Sequence, residues 1–168
     1  MKHAWTAMFV AGAFSALAQA GEVRLTWQEP EKYTDIRSTS ETRDAFQARV
    51  IKDLSAVFSD LAGKLPDGVT WIVTITDLDL AGEVRPMLRR STSDIRLVKD
   101  IYWPRMSIRY SLLDAKGQLI TEGKEDIKDM NFMSGSAIGS GNSSFQYEER
   151  MLRDWFKRLQ RDKIFPVR

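Results

Sequence analysis

The chain has no cysteine, and its only histidine is His3. The first absence excludes disulfides, thiol catalysis and a lipid-modified N-terminal cysteine. The second extends the exclusion, because His3 lies in a segment that reads as a processing signal. A mature chain lacking both residues has no Ser-His-Asp or Cys-His nucleophile and no imidazole acid–base chemistry. No zinc, copper or haem site is expected, and no cofactor. Carboxylates, Lys, Tyr, Ser and Arg are the reactive groups that remain. Charge of one sign is lacking too. The 25 Lys and Arg nearly balance the 23 Asp and Glu, which gives no sign of a nucleic-acid partner or an acidic tail.

Long hydrophobic runs are confined to the start of the chain. Lys2 and His3 precede an apolar stretch from Ala4 to Leu17, and Ala18-Gln19-Ala20 follows as an A-x-A site. This pattern predicts a cleavable signal peptide over residues 1–20, cut after Ala20, and a periplasmic location. A membrane anchor needs about 20 apolar residues. This run is shorter and ends in a cleavage site, so the mature chain is expected to have no transmembrane segment. Residues 21–168 are enough for one α/β domain with a real core.

Periodicity gives the elements. Val23, Leu25 and Trp27 alternate with polar residues as a short strand that ends by Pro30. Phe46, Val50, Leu54, Val57, Phe58 and Leu61 recur at helical spacing. Ser38 with Glu41 resembles a capping box, with Ser40 as the other candidate cap. Gly63, Pro66 and Gly68 end that helix. Val69 to Ile75 reads as a central strand running into Asp77-Leu78-Asp79-Leu80-Ala81-Gly82. Ile95 to Val98 reads as a short edge strand.

Met106, Ile108, Tyr110 and Leu112 mark another strand. Asp114-Ala115-Lys116-Gly117 turns it into a partner over Leu119 to Ile127, with Glu122, Lys124 and Asp126 on a solvated face. Residues 133–144 form a Gly/Ser-rich loop, and Ser143 with Gln146 three later fits a cap for the helix that follows. Tyr147, Met151, Leu152, Trp155, Phe156 and Leu159 form the apolar stripe of a last helix. The order β-α-β-β-β-α predicts an α+β fold: a two-layer mixed sheet of about four strands with both helices on one face.

Taken in order, several of these pieces resemble the exported proteobacterial family known as domain of unknown function 3016. They are Pro30-Glu31-Lys32-Tyr33-Thr34-Asp35 after the first strand, and Thr76 to Gly82 after the β-rich strand. Trp103-Pro104-Arg105 before Ile108-Arg109-Tyr110, and Tyr147-Glu148, Met151-Leu152 and Trp155-Phe156 in the last helix, complete the set. The resemblance covers nearly the whole mature chain. It implies a periplasmic protein, and it implies neither an activity nor catalytic residues.

Three features invite a functional reading. Asp77 and Asp79 are two apart at a strand end, so both point to one side. Such a pair can hold a cation, share a proton, or simply bond loop backbone and nearby Arg groups. Residues 83–109 concentrate positive charge in Arg85, Arg89, Arg90, Arg96, Lys99, Arg105 and Arg109 against Glu83, Asp94 and Asp100. Arg suits bidentate binding of phosphate or carboxylate, while Tyr102 and Trp103 can anchor an interface. The same run also reads as a solvated loop paired with nearby acids. The Gly/Ser loop lacks the Lys-Ser/Thr of a phosphate-binding loop and reads as a lid or tether.

The leading expectation is a non-enzymatic envelope module for an anionic ligand or a protein partner. Its binding residues would be Arg85, Arg89, Arg90, Tyr102, Trp103, Arg105 and Arg109. The alternative is a carboxylate-based hydrolase acting on glycan, since two carboxylates suffice for that chemistry.

Overall fold

The computed structural model describes residues 20–85, 95–134 and 144–168. The signal segment, Arg89 and Arg90, and most of the Gly/Ser loop lie outside them. The described elements are β1 (Glu22–Trp27), a 3-10 turn (Pro30–Lys32), α1 (Arg43–Ala62), β2 (Thr70–Asp79), β3 (Glu83–Arg85), β4 (Ile95–Leu97), β5 (Arg105–Leu113), β6 (Leu119–Lys128) and α2 (Gln146–Arg161). The main sheet runs β1-β2-β5-β6, and β3 and β4 form a separate two-stranded ribbon. β1 pairs with β2 in parallel, while β2–β5 and β5–β6 are antiparallel. The fold is therefore α+β with a mixed sheet, as the periodicity predicts. α1 supplies the crossover that a parallel pair requires.

Both helices cover one face of the sheet. Trp71, Val73, Ile75 and Leu78 of β2 and Met106, Ile108, Tyr110 and Leu112 of β5 are buried beneath them. Phe46 to Leu61 on α1 and Met151 to Leu159 on α2 bury the stripes that helical spacing marks out. Trp71 lies at the centre, with ring centroids of Phe58, Phe156 and Phe165 at 5.5–5.6 Å and that of Trp155 at 6.0 Å. Burying each such side chain contributes about 1.5–3 kcal/mol. Phe165 belongs to no element. The tail after α2 folds back and inserts it between Trp71 and Tyr110.

Some local details differ from the sequence reading. The cap of α1 is Thr42, whose side chain accepts from the Ala45 N–H, rather than Ser38 or Ser40. Ser38 instead takes the N–H groups of Ser40 and Glu41 and shapes the turn before the helix. α2 starts at Phe145 without a side-chain cap bond. Tyr147 is half-buried and packs edge-on against Phe132, 4.9 Å between centroids. The buried residue beside it is Glu148.

The other face of the sheet carries no helix among the described residues. Thr74, Ser107, Arg109, Ser111, Glu122, Lys124 and Asp126 alternate outward there. On the helix side of β6, Gly123 leaves room for the Tyr110 ring. A Cβ at that position would meet the Tyr110 hydroxyl oxygen at 2.7 Å. An irregularity in the β2–β5 register between Ile75 and Asp77 lets Leu78 turn inward while Asp77 and Asp79 face out.

Candidate functional site

The C-terminal end of β2 is where the chain departs from regular pairing. After Trp27 the backbone leaves the sheet through the 3-10 turn and returns to β2 at Asp35, in a one-residue parallel bridge to Asp79. Asp35 N–H donates to the Leu78 carbonyl at 3.1 Å, and Leu80 N–H donates to the Asp35 carbonyl at 3.2 Å. Side chains clamp this return. Tyr33 is buried and donates its hydroxyl to the Ile75 carbonyl at 2.9 Å. The Asp77 carboxylate accepts the Thr34 N–H at 2.8 Å and the Thr34 hydroxyl at 2.6 Å.

Beyond β2 the chain turns at Gly82. Its φ of 88° strains any other residue there, and a Cβ would crowd the Arg96 side chain and the Leu97 carbonyl at 3.0 Å. Gly82 N–H donates to the Tyr102 carbonyl at 2.9 Å, which draws the turn before β5 alongside. Between these segments lies a cleft of about 330 Å³, lined by Asp35, Arg37, Asp79, Tyr102, Trp103 and Arg105 among others.

Arg96 organises one wall. Its guanidinium donates to the Asp35 carboxylate at 3.0 Å, to the carbonyls of Ala81 and Gly82 at 3.1 and 3.3 Å, and to that of Arg37 at 2.8 Å. One cation from the basic run thus ties β4, the end of β2 and the 35–37 segment together. Behind the wall, Glu148 is only 2% exposed, and its Oε1 accepts the Ala81 N–H at 2.7 Å. Burial pushes its carboxyl above the ordinary range.

Ion pairing in the cleft is uneven. Asp35 is engaged by Arg96, Asp79 by Arg105, and Glu83 by Arg85. Arg105 directs both Nε and Nη2 at one Asp79 oxygen, and its side chain is 54% exposed. Burial pushes the Asp79 carboxyl up, with the Arg105 hydrogen bond opposing it. The Arg85 hydrogen bond holds Glu83 below the usual carboxylate range. Arg37 is exposed, and its guanidinium has no hydrogen bond or ion pair among the described residues. Every acid lining the cleft therefore has a cation, and one guanidinium is left over.

The residues singled out from sequence fall into four groups. Asp79, Tyr102, Trp103 and Arg105 line the cleft. Arg85 stands at its rim, donating to the Tyr102 hydroxyl at 2.6 Å. Arg109 lies further along β5 on the open sheet face, with the Gln28 amide oxygen 2.6 Å away. Arg89 and Arg90 are outside the described residues. Asp77 and Asp79 share a side but not a ligand: Asp77 is bonded to Thr34 and Asp79 to Arg105. Sequence reasoning missed Arg37, Asp35 and Glu148. Only Glu148 carried a local signal, because it stands three and four residues before Met151 and Leu152 on the buried stripe.

Among the described residues no group of three or more His, Cys, Asp or Glu is arranged to hold a metal ion. No helix among them is long and apolar enough to cross a membrane. The family model described as protein of unknown function (DUF3016) matches residues 21–158. Searches of curated proteins and of solved structures give no match.

Proposed function

This chain belongs to the DUF3016 family, and on that footing we propose that it is a non-enzymatic binding module of the bacterial envelope that takes an anionic group in the β2 cleft. The observation that carries this reading is the uneven pairing. The cleft's acids are neutralised from within, while Arg37 and the outer edge of Arg105 still have donors to offer. Guanidinium groups bind carboxylate and phosphate through paired N–H donors. Tyr102 and Trp103 add flat surface beside them, and Ile101, 59% exposed, adds an apolar edge. The A-x-A site supports export with cleavage after Ala20.

A second reading, a carboxylate-based glycan hydrolase, draws on Asp35 and Asp79 in the same cleft and on the raised pKa of Asp79. Arg96 and Arg105 argue against it, because each guanidinium occupies the carboxylate that would have to act as acid or base.

The test is binding of the mature protein to envelope fractions, for wild type, Arg37→Ser and Arg105→Ser. Salt is raised from about 0.1 M to about 1 M, where the screening length falls from about 10 Å to about 3 Å. The expected result is capture that fades with salt and is weakened by either substitution. Salt-independent capture, or capture unchanged in both variants, would overturn the reading.

A further inference from the structure

β6 is an outer strand of the main sheet, and among the described residues nothing but β5 pairs with it. At its end the Asp129 N–H donates to the Pro104 carbonyl at 3.3 Å, in step with the β5–β6 register. Bonding residues alternate along an antiparallel ladder. Thr121, Gly123, Glu125 and Ile127 therefore turn their backbone groups toward β5. Glu122, Lys124, Asp126 and Lys128 turn theirs toward the free edge.

The same residues carry the strand's charge on the open face, and all of them are exposed. None has an ion pair among the described residues. None meets an opposite charge across β5 either: they stand opposite Ser111, Arg109, Ser107 and Arg105 in that order. Their signs alternate, acid then Lys then acid then Lys. Reversed end to end, such a row is its own complement. Edge strands are commonly guarded against pairing by Lys of one sign, by Pro or by a bulge. Here each Lys is matched by an acid, and Thr121 to Lys128 holds neither a Pro nor a register irregularity.

We infer that the edge of β6 is a self-association surface, whose occupant is a second copy of this chain. The two β6 strands pair antiparallel about a two-fold axis at Glu125, which joins the two main sheets into one. In this register Glu122 of one copy faces Lys128 of the other, Lys124 faces Asp126, and the axis repeats both contacts. These are also the residues whose N–H and carbonyl groups point to the free edge, so each charged pair exchanges backbone hydrogen bonds as well. A slide of two residues either way sets Lys124 against Lys124 or Asp126 against Asp126, so the charges select one register. On the helix side the axis brings the two Glu125 carboxylates together. Each already accepts the Trp155 indole N–H at 2.8 Å and pairs with Arg158 at 3.4 Å, so neither arrives as a bare charge. At each end the exposed Ile120 of one copy comes beside the exposed Met130 of the other.

The experiment is sedimentation of the mature protein over a range of concentrations, for wild type, Lys124→Glu, Asp126→Lys and the double variant Lys124→Glu/Asp126→Lys. The wild type is expected to pass from monomer to dimer as concentration rises. Either single change sets like charges opposite each other and should weaken association about tenfold or more. The double variant exchanges the signs and should restore it. Amide exchange of the wild type gives a readout that needs no variant: Glu122, Lys124, Asp126 and Lys128 should gain protection with concentration, while Thr121, Gly123, Glu125 and Ile127 are protected throughout. A wild type that stays monomeric at every concentration would overturn the inference. So would a dimer indifferent to both single changes, or one whose gained protection lies on β1 or the helices instead.

Discussion

A single buried carboxylate shows how the cleft is held. Glu148 has almost no contact with solvent and accepts the N–H of Ala81, the residue between cleft-lining Leu80 and Gly82. An acid whose folded pKa is raised adds stability below its unfolded value, and that contribution is lost as pH rises through the folded value. Above that window the charge is a burden while the hydrogen bond remains useful. Glu148→Gln keeps an acceptor and removes the charge, so it should match or exceed the wild type near neutral pH. Its advantage should shrink as pH falls toward the ordinary value of 4.5. Glu148→Ala leaves the Ala81 N–H without its partner and should cost about 1–3 kcal/mol. Urea unfolding of the three proteins at acidic and neutral pH checks this. An equal loss for Gln and Ala at both would show that the acceptor plays no part.

At this scale the sequence was only partly readable. The helical spacing of Glu148 from Met151, Leu152, Trp155 and Leu159 places it on the buried stripe, and that signal was available. Arg37 and Arg96 carried none. Arg96 looks like one charge in a basic run, but its acceptors are 14 to 61 residues away in sequence. No local pattern distinguishes it from Arg105 or Arg85.

Elements were more legible than contacts, because burial on one face imposes a period that the sequence must obey. Trp71, Val73 and Ile75 give β2, and Met106, Ile108, Tyr110 and Leu112 give β5, both with the correct inward face. The irregularity after Ile75 breaks the alternation, and a strict period of two would have turned Leu78 outward. The pairing of β3 with β4 was hidden because each has three residues, too few for a period. Phe165 was hidden because it follows the helix rather than lying on its stripe.

α2 carries the stability prediction at this scale. Trp155 is 2% exposed, stacks on Trp71 at 29° between ring planes, and donates its indole N–H to Glu125 at 2.8 Å. Trp155→Ala should cost about 3–5 kcal/mol, as truncation of a buried aromatic does. A denaturant midpoint close to that of the wild type would show that the aromatic cluster does not hold α2 to the sheet.

For the whole molecule, the division of labour follows from the layers. The helices and the buried sheet face carry stability. Residues of the open face and of the β2 end point outward, where unpaired guanidinium and ammonium groups cost the core nothing. Balanced overall charge hid this arrangement from composition. The 25 cations and 23 anions nearly cancel in sum, and only the register shows which of them meet.

The central claim is that the cleft at the end of β2 receives an anion through Arg37 and Arg105. The most direct measurement is a titration of isotope-labelled mature protein with galacturonate, followed by backbone and arginine side-chain NMR. The account predicts saturable shifts at Asp35–Arg37, Gly82–Glu83 and Tyr102–Arg105, and at the side-chain N–H signals of Arg37 and Arg105. An unchanged spectrum at saturating ligand, or shifts gathered elsewhere on the protein, would contradict it.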